Sequence, residues 1–207
     1  MKKVSVLALL LVLLVSCSSN EDKANRLIKK EMKKTLFIAD SYEPVETQLD
    51  SAFAPFDNPE LFERMFDFFQ YSEELEKVKL DVKQAKSSMS LWSGAYSSLE
   101  ESQFVKNEYE EARREYEQSV AREKTLTDIM MNKAAKLKKM LESPSEFIGY
   151  KAVHSYRAKN NAGQVLLGKN IFFFDPEIEH VLAQYDMESS EYIACQLALE
   201  EVKNSRQ

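Results

Sequence analysis

The stretch LEKVKLDVKQAKSSMSLW, residues 75–92, does most to decide the fold of this chain. Its apolar side chains recur in alternating steps of three and four, and a second stretch, YEEARREYEQSVAREKTLTDIMMNKAAKLKKM, residues 109–140, repeats in the same way. Repeats of this kind are heptad-like seams, which predict two long helices packed along one another. The two seams are Leu75, Val78, Val82, Ala85, Met89 and Trp92, and Tyr109, Ala112, Tyr116, Ser119, Glu123, Leu126, Met130, Lys133, Leu137 and Met140.

The residues around the two seams favour an antiparallel hairpin. Residues 60–142 contain no proline and only one glycine, Gly94. Ser93–Ser98 has the composition of a turn, so we expect the two helices to join near Gly94. Polar residues at three seam positions make the second seam a weak one, and it requires its partner helix or another protein. These positions are Ser119, Glu123 and Lys133.

The segment before the hairpin predicts one helix and one strand. Residues 23–37 place four apolar residues on one helical face and basic residues around the rest. The apolar four are Leu27, Ile28, Met32 and Leu36. Residues 41–53 alternate with period two, which is typical of a strand with one face in a core. The residues expected to face that core are Val45, Thr47 and Leu49.

The segment after the hairpin changes to strand periodicity. Ser143 and Pro144 stop the second helix, and alternation from Ile148 to Ala158 predicts a strand. Residues 160–163 form a hairpin turn, and Val165–Phe174 is a strand expected to be central or covered. Residues 177–186 fit a strand or a short helix. Residues 189–203 predict a closing helix, whose pattern consists of Ile193, Leu197 and Glu201 and the neighbouring Ala194, Ala198 and Val202.

Together these elements predict an α+β fold that is mostly helical. A lone early strand is unstable, and its only possible partners follow residue 146. We therefore expect a small antiparallel sheet module, residues 23–57 and 143–207, into which a long coiled-coil-like antiparallel hairpin, residues 58–142, is inserted.

The N-terminus carries a targeting signal. Lys2 and Lys3 precede an apolar run, Val4–Val15, that is too short to span a bilayer and is typical of a secretory signal. The run ends in Leu14-Val15-Ser16-Cys17, which resembles a bacterial lipobox. The resemblance implies cleavage after residues 1–16, a diacylglyceryl thioether and an acylated amine on Cys17, and a polar tether over residues 17–22. An ordinary signal with an incidental cysteine is the alternative.

Composition and motifs argue against several functions. The chain has 207 residues, 28 basic against 34 acidic, and a formal charge of −6, which disfavours nucleic acid as a partner. His154 and His180 lie far apart in sequence, and no metal-ligand spacing, nucleophile motif or phosphate-binding glycine loop is present. We interpret His154 as a structural histidine and Cys195 as a small core residue. We therefore predict no catalytic, cofactor-binding or metal site, and no enzyme.

Basic and aromatic residues leave several possible surfaces open. The basic helix at residues 23–37 could lie on anionic headgroups or could carry a solvated lysine face on a packed helix. A basic patch could also gather Lys136, Lys138 and Lys139 with Lys151, Arg157 and Lys159. The aromatic side chains of Trp92, Tyr150 and Tyr156 would suit a ligand groove.

The mature chain resembles uncharacterised lipoproteins of Bacteroides-type bacteria. The resemblance rests on residues 41–46, on the hairpin insertion, and on residues 156–160 followed by Gly163. It implies a location in the cell envelope, most simply at the outer membrane, on its periplasmic face or at the cell surface. Residues 19–22 partly match an acidic signal for surface export. We expect a lipid-anchored, non-enzymatic module that contacts an envelope protein through its hairpin; a surface ligand- or carbohydrate-associated binding protein is the alternative.

Overall fold

The computed structural model describes residues 19–98 and 102–205. These residues form an α+β fold with a long helical hairpin, which confirms the predicted fold class. The elements are α1 (Asn20–Thr35), a 3₁₀ helix (Ala39–Ser41), β1 (Glu43–Ala54), α2 (Pro59–Ser98), α3 (Gln103–Leu141), β2 (Glu146–Lys159), β3 (Val165–Phe174), β4 (Val181–Asp186) and α4 (Ser190–Asn204).

The chain divides into two compact units. The sheet unit ends at Pro59 and resumes at Ser145, and the hairpin unit is Glu60–Pro144. Of the helices in the described ranges, none combines the length and apolar composition that crossing a bilayer requires.

Helix α1 begins earlier than the sequence predicted. Ser19 caps it, because its hydroxyl accepts a hydrogen bond from the Asp22 backbone N–H while the Asp22 carboxylate accepts one from the Ser19 backbone N–H. Residues 20–22 are therefore helical, whereas we expected them to belong to a polar tether. The helix stops where Leu36 turns to an extended conformation.

The four strands form one antiparallel sheet in the order β1-β2-β3-β4. As expected, β1 pairs with a strand that follows the hairpin, and β3 is an interior strand with the predicted bounds. Residues 181–186 are a strand, which settles the ambiguous segment. The inward position predicted for Val45 is wrong: a register shift between Pro44 and Glu46 interrupts the alternation there and leaves Val45 exposed.

The sheet is covered by helices on both faces. On one face α1 buries three residues at helical spacing in a core with Phe172 and Phe174 of β3. The three are Ala24, Ile28 and Met32. On the other face Tyr192 of α4 stacks on Tyr185, which contacts Phe173 edge-on.

The buried residues of α4 include Cys195, as predicted, but not Ile193 and Leu197. Tyr192, Cys195 and Leu199 are buried, while Ile193 and Leu197 are exposed. Several apolar residues lie around this short helix, so periodicity alone did not identify the packed face. The stacking of Tyr192 on Tyr185 fixes the helix rotation.

Two glycines occupy backbone conformations that other residues rarely adopt. Gly149 has φ +140°, and a Cβ there would lie 2.1 Å from the carbonyl oxygen of Phe174. Gly163, with φ +78°, completes the predicted β2–β3 turn. The Asn160 side chain accepts from the backbone N–H groups of Ala162 and Gln164 and holds that turn.

The first half of β3 extends past β4. The β3–β4 pairing begins at Asn170, which lies opposite Asp186. Three consecutive apolar residues precede it, and all three are exposed: Val165, Leu166 and Leu167.

The hairpin unit confirms both predicted seams, since every seam residue named above is buried or half-buried. Cross-helix contacts join Glu74 to Arg122 and Tyr96 to Tyr109, so numbers that rise along α2 fall along α3, as an antiparallel pair requires. The predicted connection near Gly94 is wrong. Gly94 lies inside α2, which continues to Ser98. The hydroxyls of Ser97 and Ser98 donate to carbonyls one turn back, so the serines are satisfied within the helix.

Candidate functional site

Aromatic side chains gather where the two long helices approach their connection. Trp92 and Phe104 meet edge-on with ring centroids 6.0 Å apart, and Tyr96 stacks on Tyr109 at 5.3 Å. These four residues, named the tip cluster here, belong to both α2 and α3. The cluster therefore exists only when the two helices are paired.

The local sequence places the tip cluster partly in solvent. Ser102 caps α3 by accepting a hydrogen bond from the Val105 backbone N–H, and Val105 is buried in the helix pair. Its neighbour Phe104 therefore points away from the seam and is 63% exposed. Leu91, next to Trp92, is 71% exposed. Large apolar side chains exposed beside a half-buried tryptophan are typical of protein-contact surfaces.

Two of the three polar residues in the seam, Lys133 and Ser119, have partners inside the hairpin. The Lys133 ammonium donates to the Asp67 carboxylate and lies 4.3 Å from the centre of the Tyr71 ring. Ser119 donates to the Tyr116 carbonyl of its own helix. The weak seam predicted from the sequence is thus satisfied at these positions by α2 and by α3 itself.

His154 lies in a closed hydrogen-bonded network in the sheet unit. The side chain is 1% exposed; its Nε2 is 2.8 Å from the Tyr42 hydroxyl and its Nδ1 is 2.9 Å from the Thr47 hydroxyl. Its ring is nearly parallel to that of Tyr156. Burial lowers the pKa of His154 and raises that of Tyr42 to about 12, so both side chains are neutral at pH 7. Each ring nitrogen thus shares one hydrogen bond with a neutral hydroxyl, and the tautomer of His154 decides which partner donates in each. This arrangement fits the structural role predicted for His154.

The other reactive groups named from the sequence are also held in structural roles. Cys195 is buried, and burial raises the pKa of its thiol to about 12, so it is not a thiolate at neutral pH. His180 lies 3.0 Å from Asp175, whose other carboxylate oxygen accepts two backbone N–H groups of the β3–β4 turn. Within the described ranges, His, Cys, Asp and Glu form no cluster that could hold a metal ion.

Tyr150 and Tyr156, which suggested a ligand groove, make contacts with other residues of the sheet unit. The Tyr150 hydroxyl accepts from the Asn20 side chain, and the Tyr156 ring covers Gly168, where a Cβ would lie 2.6 Å away. A cavity of about 330 Å³ lies near the ends of β2 and β3 and is rimmed by charged side chains. Its charged lining residues are Asp40, Glu43, Arg157 and Lys159.

Basic residues lie in ion pairs of the two units and also along the outward side of α1. Lys151 forms an ion pair with Asp57 at 2.6 Å, and Lys138 lies 3.8 Å from Glu142. On α1 the side opposite the buried stripe is basic and exposed. Its residues are Arg26, Lys29, Lys30 and Lys33. Helix α1 is therefore packed through one face and carries positive charge on the other.

The lipidation site predicted at Cys17 lies outside the described residues. Cys17 is three residues before the start of α1. No protein-family model, curated protein or solved structure matches the chain.

Sequence reasoning missed part of the tip cluster and the partners of His154, although it predicted the structural role of that residue. Phe104 stood outside the seam, and Tyr96 was assigned to a turn. Extending the seam by one step of four beyond Trp92 would have reached Tyr96 and kept the helix going. No local signal linked Tyr42 to His154, which is 112 residues away.

Proposed function

We propose that this chain is a lipid-anchored protein of the cell envelope that works as a non-enzymatic interaction module. Its hairpin contacts an envelope protein through the tip cluster. The observation that carries the proposal is the exposure of Phe104 and Leu91 beside Trp92 at the connected end of the hairpin. Aromatic residues in such a setting commonly dominate the energetics of protein interfaces.

The anchoring part of the proposal rests on the lipobox and on the position of α1. A capped helix begins three residues after Cys17, so a lipid on that cysteine would hold the sheet unit close to the bilayer. Two or more acyl chains give stable anchoring, whereas one is marginal. The outer membrane is the proposed location.

The ligand-binding alternative has less support. Tyr150 and Tyr156 make contacts within the sheet unit, as described above. A cavity of about 580 Å³ is lined by Tyr150 but otherwise mainly by polar residues, and the cavity near β2 and β3 is rimmed by charges. The non-enzymatic assignment is supported by the neutral, fully bonded His154 and the protonated Cys195.

The test is site-specific photocrosslinking in intact cells of the source bacterium. A photoreactive residue replaces Leu91 in one strain and Gln118, an exposed residue farther along α3, in a matched control. We expect one envelope protein to be captured from position 91 and not from position 118. The capture should fall strongly when Phe104→Ser is added, a change at an exposed site that leaves the seam intact. Equal capture from both positions, or capture indifferent to Phe104→Ser, would refute the tip as the contact.

Mass spectrometry of the same sample tests the anchor separately. We expect the mature chain to begin at Cys17 with the mass of a diacylglyceryl group and an acyl chain. An unmodified Cys17 would refute the anchoring while leaving the hairpin proposal to its own test.

A further inference from the structure

We infer that the outward face of α1 is a docking surface for anionic phospholipid headgroups. The surface, named the basic stripe, consists of Arg26, Lys29, Lys30 and Lys33. The inference rests on the proposed membrane anchoring and adds the part of the sheet unit that faces the bilayer and the lipid charge that it recognises.

The first step is the position of the basic stripe on the helix. Residues spaced by three, four and seven lie along one side of an α-helix. Ala24, Ile28 and Met32 occupy the opposite side and are fully buried against the sheet. Because the apolar side is packed against the sheet, the rotation of the helix is fixed, and all four basic side chains are directed outward. The helix can therefore pack against the sheet through its apolar side and bind a charged surface through its basic side.

The second step is charge. The chain carries a formal charge of −6, yet α1 has six basic residues against three acidic ones. Of the acidic residues, Asp22 lies on the same side as the stripe, where its carboxylate accepts hydrogen bonds from Ser19 at the cap, while Glu31 pairs with Lys34 at 2.6 Å. Four basic residues against this one carboxylate leave the stripe with a net positive charge. A local positive face on an acidic protein attracts an anionic surface and is not explained by overall solubility.

The third step identifies the surface as lipid. Cys17 lies three residues before α1, a reach of about 10 Å at most for an extended chain. The helix itself is about 24 Å long by its rise per residue. An anchor at Cys17 therefore places the start of α1 near the headgroups and allows the whole stripe to reach them when the helix lies along the bilayer surface. Basic residues close to such a surface each strengthen binding roughly fivefold, and the effect vanishes beyond a Debye length.

The experiment measures vesicle binding by the chain from Ser18 onward, which retains every described residue and carries no lipid. Vesicles of phosphatidylcholine alone are compared with vesicles of equal parts phosphatidylcholine and phosphatidylglycerol. We expect binding only to the second kind, and loss of binding when added salt shortens the Debye length. The pair Lys29→Gln and Lys33→Gln should lower the partition coefficient about thirtyfold.

The matched control is the pair Lys106→Gln and Lys124→Gln, two exposed lysines of α3. It changes net charge equally and should leave binding within about twofold of the unaltered chain. No binding to phosphatidylglycerol vesicles, equal binding to both kinds, or an equal loss in the control pair would overturn the inference. Because this chain is unlipidated, these outcomes do not depend on whether Cys17 is modified or on whether the tip cluster binds a protein.

Discussion

The sheet unit and the hairpin unit bury their apolar side chains in different surroundings. In the sheet unit, Phe172 is enclosed by neighbours from α1, β2 and β3, while α4 covers the far face of the sheet. In the hairpin unit, α2 and α3 share one narrow seam, in which Val78, Ala112 and Leu126 are buried but most other positions are half-exposed. A change of the same chemistry should therefore have a larger effect in the sheet unit.

The strongest test of this difference between the units is one glycine substitution made in each unit. Gly149→Ala puts a Cβ 2.1 Å from a backbone oxygen at φ +140°, and no side chain can move aside to relieve it. We expect a loss of more than about 4 kcal/mol in the free energy of unfolding. Gly94→Ala meets open space inside α2 and should gain about 0.5–1 kcal/mol. Urea unfolding measures both, and shifts of the same sign would contradict the account.

Removal of a large apolar side chain is the next strongest test. Phe172→Ala should cost about 3–4 kcal/mol, because the cavity that it leaves is enclosed on every side. Leu126→Ala should cost about 2 kcal/mol, since solvent reaches the neighbouring seam positions. The exposed Met131 and Leu167 provide alanine controls, each expected to change stability by less than about 0.5 kcal/mol. A larger loss for Leu126 than for Phe172 would refute the difference between the two kinds of core.

The pH dependence of stability should also differ between the units, by a smaller amount, because His154 lies in the sheet unit. Burial lowers the pKa of His154 in the folded chain, so between that pKa and the ordinary value of 6.5 the unfolded chain binds more protons. The contribution of neutral His154 to stability is therefore present above pH 6.5 and is lost as the pH falls through the folded-state pKa. His154→Gln should flatten this dependence when unfolding is followed in urea between neutral and mildly acidic pH. An unchanged slope would show that His154 is not the titrating group.

The smallest effect is expected at a cross-helix ion pair. Arg122 and Glu74 lie 2.9 Å apart, and both side chains are about half exposed. A double-mutant cycle with Arg122→Ala and Glu74→Ala should give a coupling below about 1 kcal/mol that falls further in high salt. A coupling several times larger would mean that ion pairs, rather than the apolar seam, hold the hairpin together.

The sequence predicted most where contacts repeat at a short period. Both seams were correct position by position, because steps of three and four are a property of each helix alone. The connection near Gly94 was wrong because serine and glycine favour turns locally, whereas the seam contacts of Trp92 and Tyr96 keep α2 helical.

The sequence predicted less of the structure where contacts between distant segments determine which side chains are buried. The apolar residues of α4 allowed two packed faces, and the contact of Tyr192 with Tyr185 selected one. The exposed position of Val45 depends on a register shift that only pairing with β2 creates. In the tip cluster the sequence identified Trp92 and Tyr109, but Phe104 gains its place only when the two helices meet.

The first half of β3, which extends past β4, affects self-association of the protein at high concentration. An unpaired strand edge can template pairing with a further chain, and hydrophobic side chains strengthen that tendency. Within residues 19–98 and 102–205, no strand pairs with the outer edge of Val165–Leu167, whose side chains are apolar and exposed. Lys169 is the only charged residue of β3 that could oppose association. Concentrated preparations should therefore self-associate through this edge, and Leu166→Lys is the substitution by which we would keep them monodisperse.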